Sequence, residues 1–250
     1  MWFLLVVACS RPPVLTGTVV DVWGKPVGDA SVVIEGVVER YRTDAAGHFE
    51  VHPSGPVTRV MAGKQGYVKA VVDAPQRAPD ADWPPLTFTL FPEPETPGFY
   101  GVGPAAYVPL EPARIRLVGT ELRHYAGVRD VPEGALSAGP ARFVFSSTLR
   151  PAELSRMNLH LSRLRYVAHT RVKGILGAVD ATVDLWVADA DVPFDLTQLP
   201  SRDDYLIVPR EPLAEGVYAF HAQDVLNEPD ERVLQALPKE MQVAFPFEVN

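Results

Sequence analysis

Proline interrupts this chain so often that long helices are excluded over most of its length. There are 25 prolines and 18 glycines among 250 residues. A proline inside a helix removes a backbone hydrogen bond and clashes with the preceding turn. The spacing lacks the three-residue period of collagen. Short strands joined by many turns remain, arranged as one large or two small domains. Hydrophobic residues make up 47% of the chain, enough to bury a core, so wholesale disorder is excluded. A net charge of −8 argues against nucleic acid as the main partner.

The one cysteine, Cys9, rules out an intrachain disulfide. It closes the apolar run Trp2 to Ala8, too short to cross a bilayer as a helix but sufficient for a signal-peptide core. Val6-Val7-Ala8-Cys9 resembles a bacterial lipobox. The resemblance implies a signal segment over 1–9, cleavage before Cys9, and lipidation of its sulfur and new amino group. Residues 10–13 then form a tether, and several acyl chains on one residue anchor firmly where a single chain is marginal. Ser10 after the cysteine implies the outer membrane by enterobacterial sorting. No Lys or Arg precedes the run; a start lying upstream would supply it. The alternative is a buried N-terminal strand with Cys9 in a core.

Residues 14–92 alternate in the manner of an antiparallel sandwich. Strands are expected at Leu15–Asp21, Ala30–Glu35, His48–His52, Gly66–Val72 and Leu86–Leu90. Asp44 can accept bonds from turn amides, and Gly47 can take positive φ. Gly17-x-Val19-x-Asp21-x-x-Gly24-x-Pro26-Val27-x-x-Ala30-x-Val32, then Thr43-Asp44-x-x-Gly47-x-Phe49, then Gly66-Tyr67, resembles the carboxypeptidase regulatory-like domain. That resemblance implies a seven-stranded transthyretin-like accessory sandwich without catalytic residues. In it Gly17, Asp21, Gly24, Pro26, Asp44, Gly47, Phe49, Gly66 and Tyr67 serve turns and core. The partner peptidase has no room here. His48 and His52, four apart along a strand, are too far apart to share an ion.

Residues 93–98 are a proline-rich linker favouring extended geometry. Beyond them, segments at 113–118, 141–146, 158–162, 164–168, 181–187, 205–209, 216–221 and 242–249 alternate again. Short helices are expected at 151–156, with Thr148 as a possible cap, and at 228–237. Pro209-x-x-Pro212-Leu213-Ala214-x-Gly216-x-Tyr218-x-Phe220 is similar to the last hairpin of extracellular immunoglobulin-like domains, which implies a second sandwich over 99–250 with the tyrosine at a corner. The expected fold is therefore mainly β, two sandwiches with one or two short helices.

Charge is sorted along the second module. Residues 95–173 hold 11 basic and 6 acidic side chains, residues 174–250 hold 4 and 15. Arg142, Arg150, Arg156, Arg163, Arg165, Arg171 and Lys173 recur in the first half. Basic strands pairing beside acidic ones explain this; the functional alternative is a dipolar surface for an anionic glycan or lipid headgroup. Asp180, Asp184, Asp189, Asp191 and Asp195 lack the Gly and bidentate Glu of a calcium loop. No nucleophile elbow, phosphate loop, dinucleotide fingerprint or zinc spacing occurs. The leading reading is a non-catalytic envelope lipoprotein that binds or scaffolds, without cofactor or metal, its partners the membrane and an envelope protein or glycan. A carbohydrate-binding accessory protein would need an exposed aromatic platform from Trp83, Trp186, Tyr100, Tyr107 and Tyr125. A metal-assisted hydrolase would need His124, His160, His169 or His221 to converge with carboxylates.

Overall fold

The computed structural model describes residues 12–78, 81–120, 123–132, 135–174, 177–200, 203–223, 225–226, 231–236 and 241–250. Cys9 and the signal segment lie outside them. The chain is mainly β and divides into two compact units between Pro94 and Glu95.

The first unit contains β1 (Leu15–Asp21), β2 (Ser31–Ile34), β3 (Arg40–Arg42), β4 (His48–Val51), β5 (Arg59–Gly63), β6 (Tyr67–Val68), β7 (Ala70–Asp73) and β8 (Leu86–Pro92). They form two sheets, ordered β4-β1-β8-β6 and β3-β2-β5-β7. β1 runs antiparallel to β4 and parallel to β8. Strict period-2 burial along β1 turns Leu15 and Val19 inward with Phe88 and Leu90, against Val32, Ile34, Val60 and Ala62 of the other sheet. Two sheets closing on one core make a β-sandwich. The strand expected at 66–72 is broken at Lys69, so that β6 and β7 belong to different sheets.

The second unit contains β9 (Gly98–Val102), β10 (Tyr107–Leu110), β11 (Ala113–Arg114), β12 (Arg116–Thr120), β13 (Arg123–Val128), β14 (Ala135–Leu136), β15 (Phe143–Ser146), α1 (Pro151–Met157), β16 (Leu159–Gly174), β17 (Gly177–Asp191), β18 (Phe194–Gln198), β19 (Asp204–Pro209), β20 (Gly216–Ala222), α2 (Glu231–Ala236) and β21 (Val243–Val249). One sheet is ordered β10-β9-β15-β19-β18. The other is ordered β11-β21-β20-β16-β17-β13-β12, with β14 beside β21. Phe99, Phe143 and Tyr205 from the first sheet meet Leu161, Phe220 and Phe247 from the second. Phe220 lies at the centre of this packing, its ring 4.9 Å from Phe99 and 5.0 Å from Phe143. The Tyr218 hydroxyl donates to the Ala214 carbonyl at 2.9 Å, which pins the turn before β20.

The segments expected at 158–162 and 164–168 are one 16-residue strand, β16. Among the described residues only Leu159 to Leu164 of it pair with β20, and the rest pairs with β17 as a long ribbon. Register shifts at Arg163/Leu164 and Val167/His169 bend this ribbon. Helix α1 is not capped by Thr148: Arg150 precedes it, and its backbone N–H donates to Glu153 Oε2 at 2.8 Å. Helix α2 begins at Glu231; 228–230 and Leu237 lie outside the described residues.

Candidate functional site

The motif residues of the first unit build turns and core. Asp21 Oδ1 accepts from the amides of Trp23 and Lys25, both at 2.9 Å. Asp44 Oδ1 does the same for Ala46 and His48, at 2.9 and 2.8 Å. Gly24 and Gly66 hold φ of 78° and 80°, and Pro26 bridges to Val20. Gly47 holds φ 77°, and a Cβ there would stand 2.4 Å from the Val19 carbonyl oxygen. A Cβ on Gly17 would meet the Phe49 ring at 2.5 Å, so β1 can approach only without a side chain. Phe49 is buried, its ring 6.0 Å from that of Phe88, and Tyr67 packs half-buried against the same core. His48 and His52 are exposed; the first sits 3.1 Å from Thr18 Oγ1, the second 3.3 Å from Glu50 Oε1.

Of the five aromatics a carbohydrate platform would need, two are buried. Trp83 is buried in the first core beneath the Arg77 guanidinium, 4.4 Å above its ring. Tyr125 is buried against Val167, Val183, Leu185 and Val187. Both are large apolar surfaces taken up by packing, so neither can stack on a ligand. Tyr100 and Tyr107 are half-buried, rings 5.8 Å apart, and Tyr100 donates to the Thr96 carbonyl at 2.7 Å. Burial, and then the nearby Asp204 carboxylate, push the Tyr107 hydroxyl well above the usual phenol range.

The exposed large aromatic among the described residues is Tyr166, with 49% of its surface free. It stands directly opposite Trp186 across the ribbon, rings 5.5 Å apart and tilted by 52°. Trp186 is half-buried on Val128 and its neighbours. The Tyr166 hydroxyl donates to Asp184 Oδ1 at 2.5 Å, and Arg129 Nε lies 3.6 Å from Asp184 Oδ2. That hydrogen bond, ahead of burial and the carboxylate's charge, raises the Tyr166 pKa. Asp184 takes φ 53° inside a strand, a conformation costly for a non-glycine residue. Two aromatic rings, a carboxylate and a guanidinium thus share one exposed patch. The sequence offers Trp186 as a candidate ring but not Tyr166, Asp184 or Arg129 as its neighbours, because a bulge brings them together.

Two of the four histidines converge. His160 and His221 face each other on β16 and β20, rings 5.4 Å apart and nearly parallel. Ser162 Oγ donates to Asp191 Oδ1 at 3.2 Å and lies 3.0 Å from His221 Nε2. His221 Nδ1 is 2.9 Å from the Gln223 carbonyl, an acceptor only, so Nδ1 carries a proton. His160 lines a cavity of about 330 Å³ with Asp191, Phe194 and Arg210. Ser162 itself is 0% exposed, so its hydroxyl ties β16, β17 and β20 together rather than facing a ligand. His124 and His169 are exposed, on β13 and on the outer part of β16. No group of three His, Cys, Asp or Glu among the described residues could hold a metal.

The acidic residues are dispersed to separate partners. Asp189 pairs with Arg165 at 3.3 Å, Asp195 with Arg210 at 3.0 Å, and Asp184 and Asp191 as described. Arg171 stands opposite Asp180 in register; their side chains lie outside the described set. Arg163 donates to the Glu215 carbonyl at 3.1 Å. Across β16 and β17 the basic half of the module thus meets the acidic half at Arg165–Asp189.

No family model matches the chain, and no curated protein matches it. Among solved structures it is similar to a protein of Bacteroides uniformis described as "a putative carbohydrate binding protein", at 12% identity and a TM-score of 0.26, over 84% of this chain and 87% of that one. It is also similar to BcpA, the major pilin subunit of Bacillus cereus, at 10% identity and a TM-score of 0.22, over 95% of this chain and 68% of that one. With such TM-scores neither places a ligand on this chain.

Proposed function

We propose that this protein is a non-catalytic binding module of the bacterial envelope, held at the membrane by lipid on Cys9 and presenting the ribbon of β16 and β17 to its partner. The exposed Tyr166 beside Trp186 carries the binding part of this reading. Tyr, Trp and Arg supply much of the energy at binding surfaces because they offer large contact area with a polar end. The lipobox-like Val6-Val7-Ala8-Cys9 supports the anchor, the outer membrane its destination. The first unit, whose turn motif resembles that of carboxypeptidase regulatory-like domains, serves as a rigid spacer. Burial of Ser162 supports the non-catalytic part. Membrane fractionation of the wild-type chain and Cys9→Ala, with incorporation of a labelled fatty acid, tests the anchor: equal membrane association of the two ends it.

A carbohydrate ligand is the second reading, favoured by the joining of two rings with Asp184 and Arg129. Ring faces suit the apolar side of a sugar, and the charged pair suits its hydroxyls. A glycan array probed with the wild-type chain and Tyr166→Ala checks this. Retention of a glycan by the wild type, lost in the variant, is expected; an array with nothing retained removes the reading.

A further inference from the structure

The outer face of the sheet β3-β2-β5-β7 carries a cleft of about 610 Å³, within the range of small-ligand sites. Strand register builds its floor. Arg40 and Met61 stand directly opposite Val33 on either side, so the three side chains share one face. That face points away from the core filled by Val32, Val60 and Ala62. In the next row Ser31 faces Gly63. Gly63 offers no side chain, and the stem of Lys69 runs past the gap, its Cγ 3.1 Å from where a Cβ on Gly63 would stand. Val33 and Met61 remain half-buried and without a covering layer in this cleft.

Charge is the second observation. Elsewhere on this sheet the arginines are matched: Arg42 with Asp29 at 2.6 Å, and Arg59 with Asp73 at 3.3 Å and Glu35 at 3.9 Å. In the cleft, Arg40 and Lys69 form no ion pair among the described residues. Lys64 Nζ donates to the Gly28 carbonyl at 2.8 Å and likewise forms no ion pair among the described residues. Glu93 is the one acidic residue in the lining, against these three cations. A concave surface with excess positive charge concentrates the field on an incoming anion, and hydrogen bonds from cations to phosphate are among the strong ones.

We infer that this cleft binds an anionic amphiphile, its phosphate held by Arg40, Lys64 and Lys69 and its apolar body laid along Val33 and Met61. A free phosphorylated amphiphile and a phospholipid within a bilayer carry the same chemistry. The site rests on neither the anchor at Cys9 nor the patch at Tyr166.

The test uses the full chain with Cys9→Ala, so that no acyl anchor contributes. Dodecyl phosphate, kept below its critical micelle concentration, is titrated by calorimetry and followed by NMR. Saturable binding that weakens with added salt is expected. Arg40→Gln with Lys69→Gln should weaken it by about tenfold or more. Arg42→Gln, which removes a cation already paired, should leave it within about twofold. Sedimentation with phosphatidylglycerol vesicles, lost in the double variant, assigns the source to a bilayer headgroup; binding of the free amphiphile without vesicle capture assigns it to a soluble ligand. The inference is overturned by an absence of saturable binding in both measurements, or by full affinity in a double variant whose circular dichroism is unchanged. Inorganic phosphate binding as tightly would also overturn it, since the apolar floor would then be idle. So would tighter binding of poly-glutamate, which would make the occupant an acidic protein segment.

Discussion

In the unit ending at Pro94, the turn aspartates act close to home. Asp21 and Asp44 each hold two amides within four residues, and buried Thr43 accepts from Ala30 and donates to Val27. In the unit beginning at Glu95, Ser162 and Arg163 reach across neighbouring strands of one sheet. Ser162 meets Asp191 and His221, 29 and 59 positions away, and Arg163 reaches Glu215. The cores differ in the same way. Small and branched residues fill the first around Phe88, whereas a cluster of phenylalanines fills the second around Phe220. The aspartate bonds need only their own turn, whereas the Ser162 bonds require distant strands to have met.

The largest expected effect tests the aromatic core. Phe220→Ala should cost about 3–5 kcal/mol by chemical denaturation, because its ring touches those of Phe99, Phe143 and Phe247. Phe88→Ala should fall toward the lower end, having one ring neighbour among the described residues, Phe49. Equal losses would break the contrast between the cores. Next come the turns. Gly47→Ala should cost about 2–3 kcal/mol, combining left-handed strain with collision on the Val19 carbonyl. Gly36→Ala, at φ 82° with open space around it, should cost only about 1 kcal/mol. A thermal unfolding series on the two variants separates strain from collision. Asp44→Ala, which frees two amides that water can partly satisfy, should cost roughly 1–2 kcal/mol.

Alkaline titration addresses the second unit. The Tyr107 pKa is raised in the folded chain, while the unfolded chain ionises near about 10. The stabilising difference is therefore complete below that pH and is lost as pH rises from there toward the folded value. Tyr107→Phe should flatten the fall of the unfolding midpoint above about pH 10; an unchanged slope would remove Tyr107 as its source. The smallest effect is expected at the exposed Arg165–Asp189 pair, where Arg165→Ala should change stability by less than about 1 kcal/mol, the remainder vanishing in high salt.

Legibility in the sequence followed the same division. Most strands and turns of the first unit were readable because Asp, Gly and Pro act on their immediate neighbours. β3 and β5 were not: Arg40-Tyr41-Arg42 has a single inward residue, and Arg59–Gly63 ends in a glycine beside a turn. In the second unit β9, β10, β13, β14 and β18 are not legible in the sequence. The ribbon was read as separate pieces, because bulges break its period-2 pattern at Arg163 and Val167. One signal did point to it: residues 152–192 contain no proline, the one long stretch free to pair along its whole length.

Proline spacing and alternation alone therefore establish a chain of strands in sandwiches, and charge order alone predicts that a basic strand lies along an acidic one. These are statements about neighbours and periods, which a linear sequence carries. That Trp83 and Tyr125 are buried while Tyr166 is exposed, that Asp184 reaches Arg129, and that Arg40 and Lys69 border one cleft depend on register and on which face each sheet turns inward. A one-residue shift in pairing would reverse every one of those faces. Only the folded arrangement of the sheets selects among such registers.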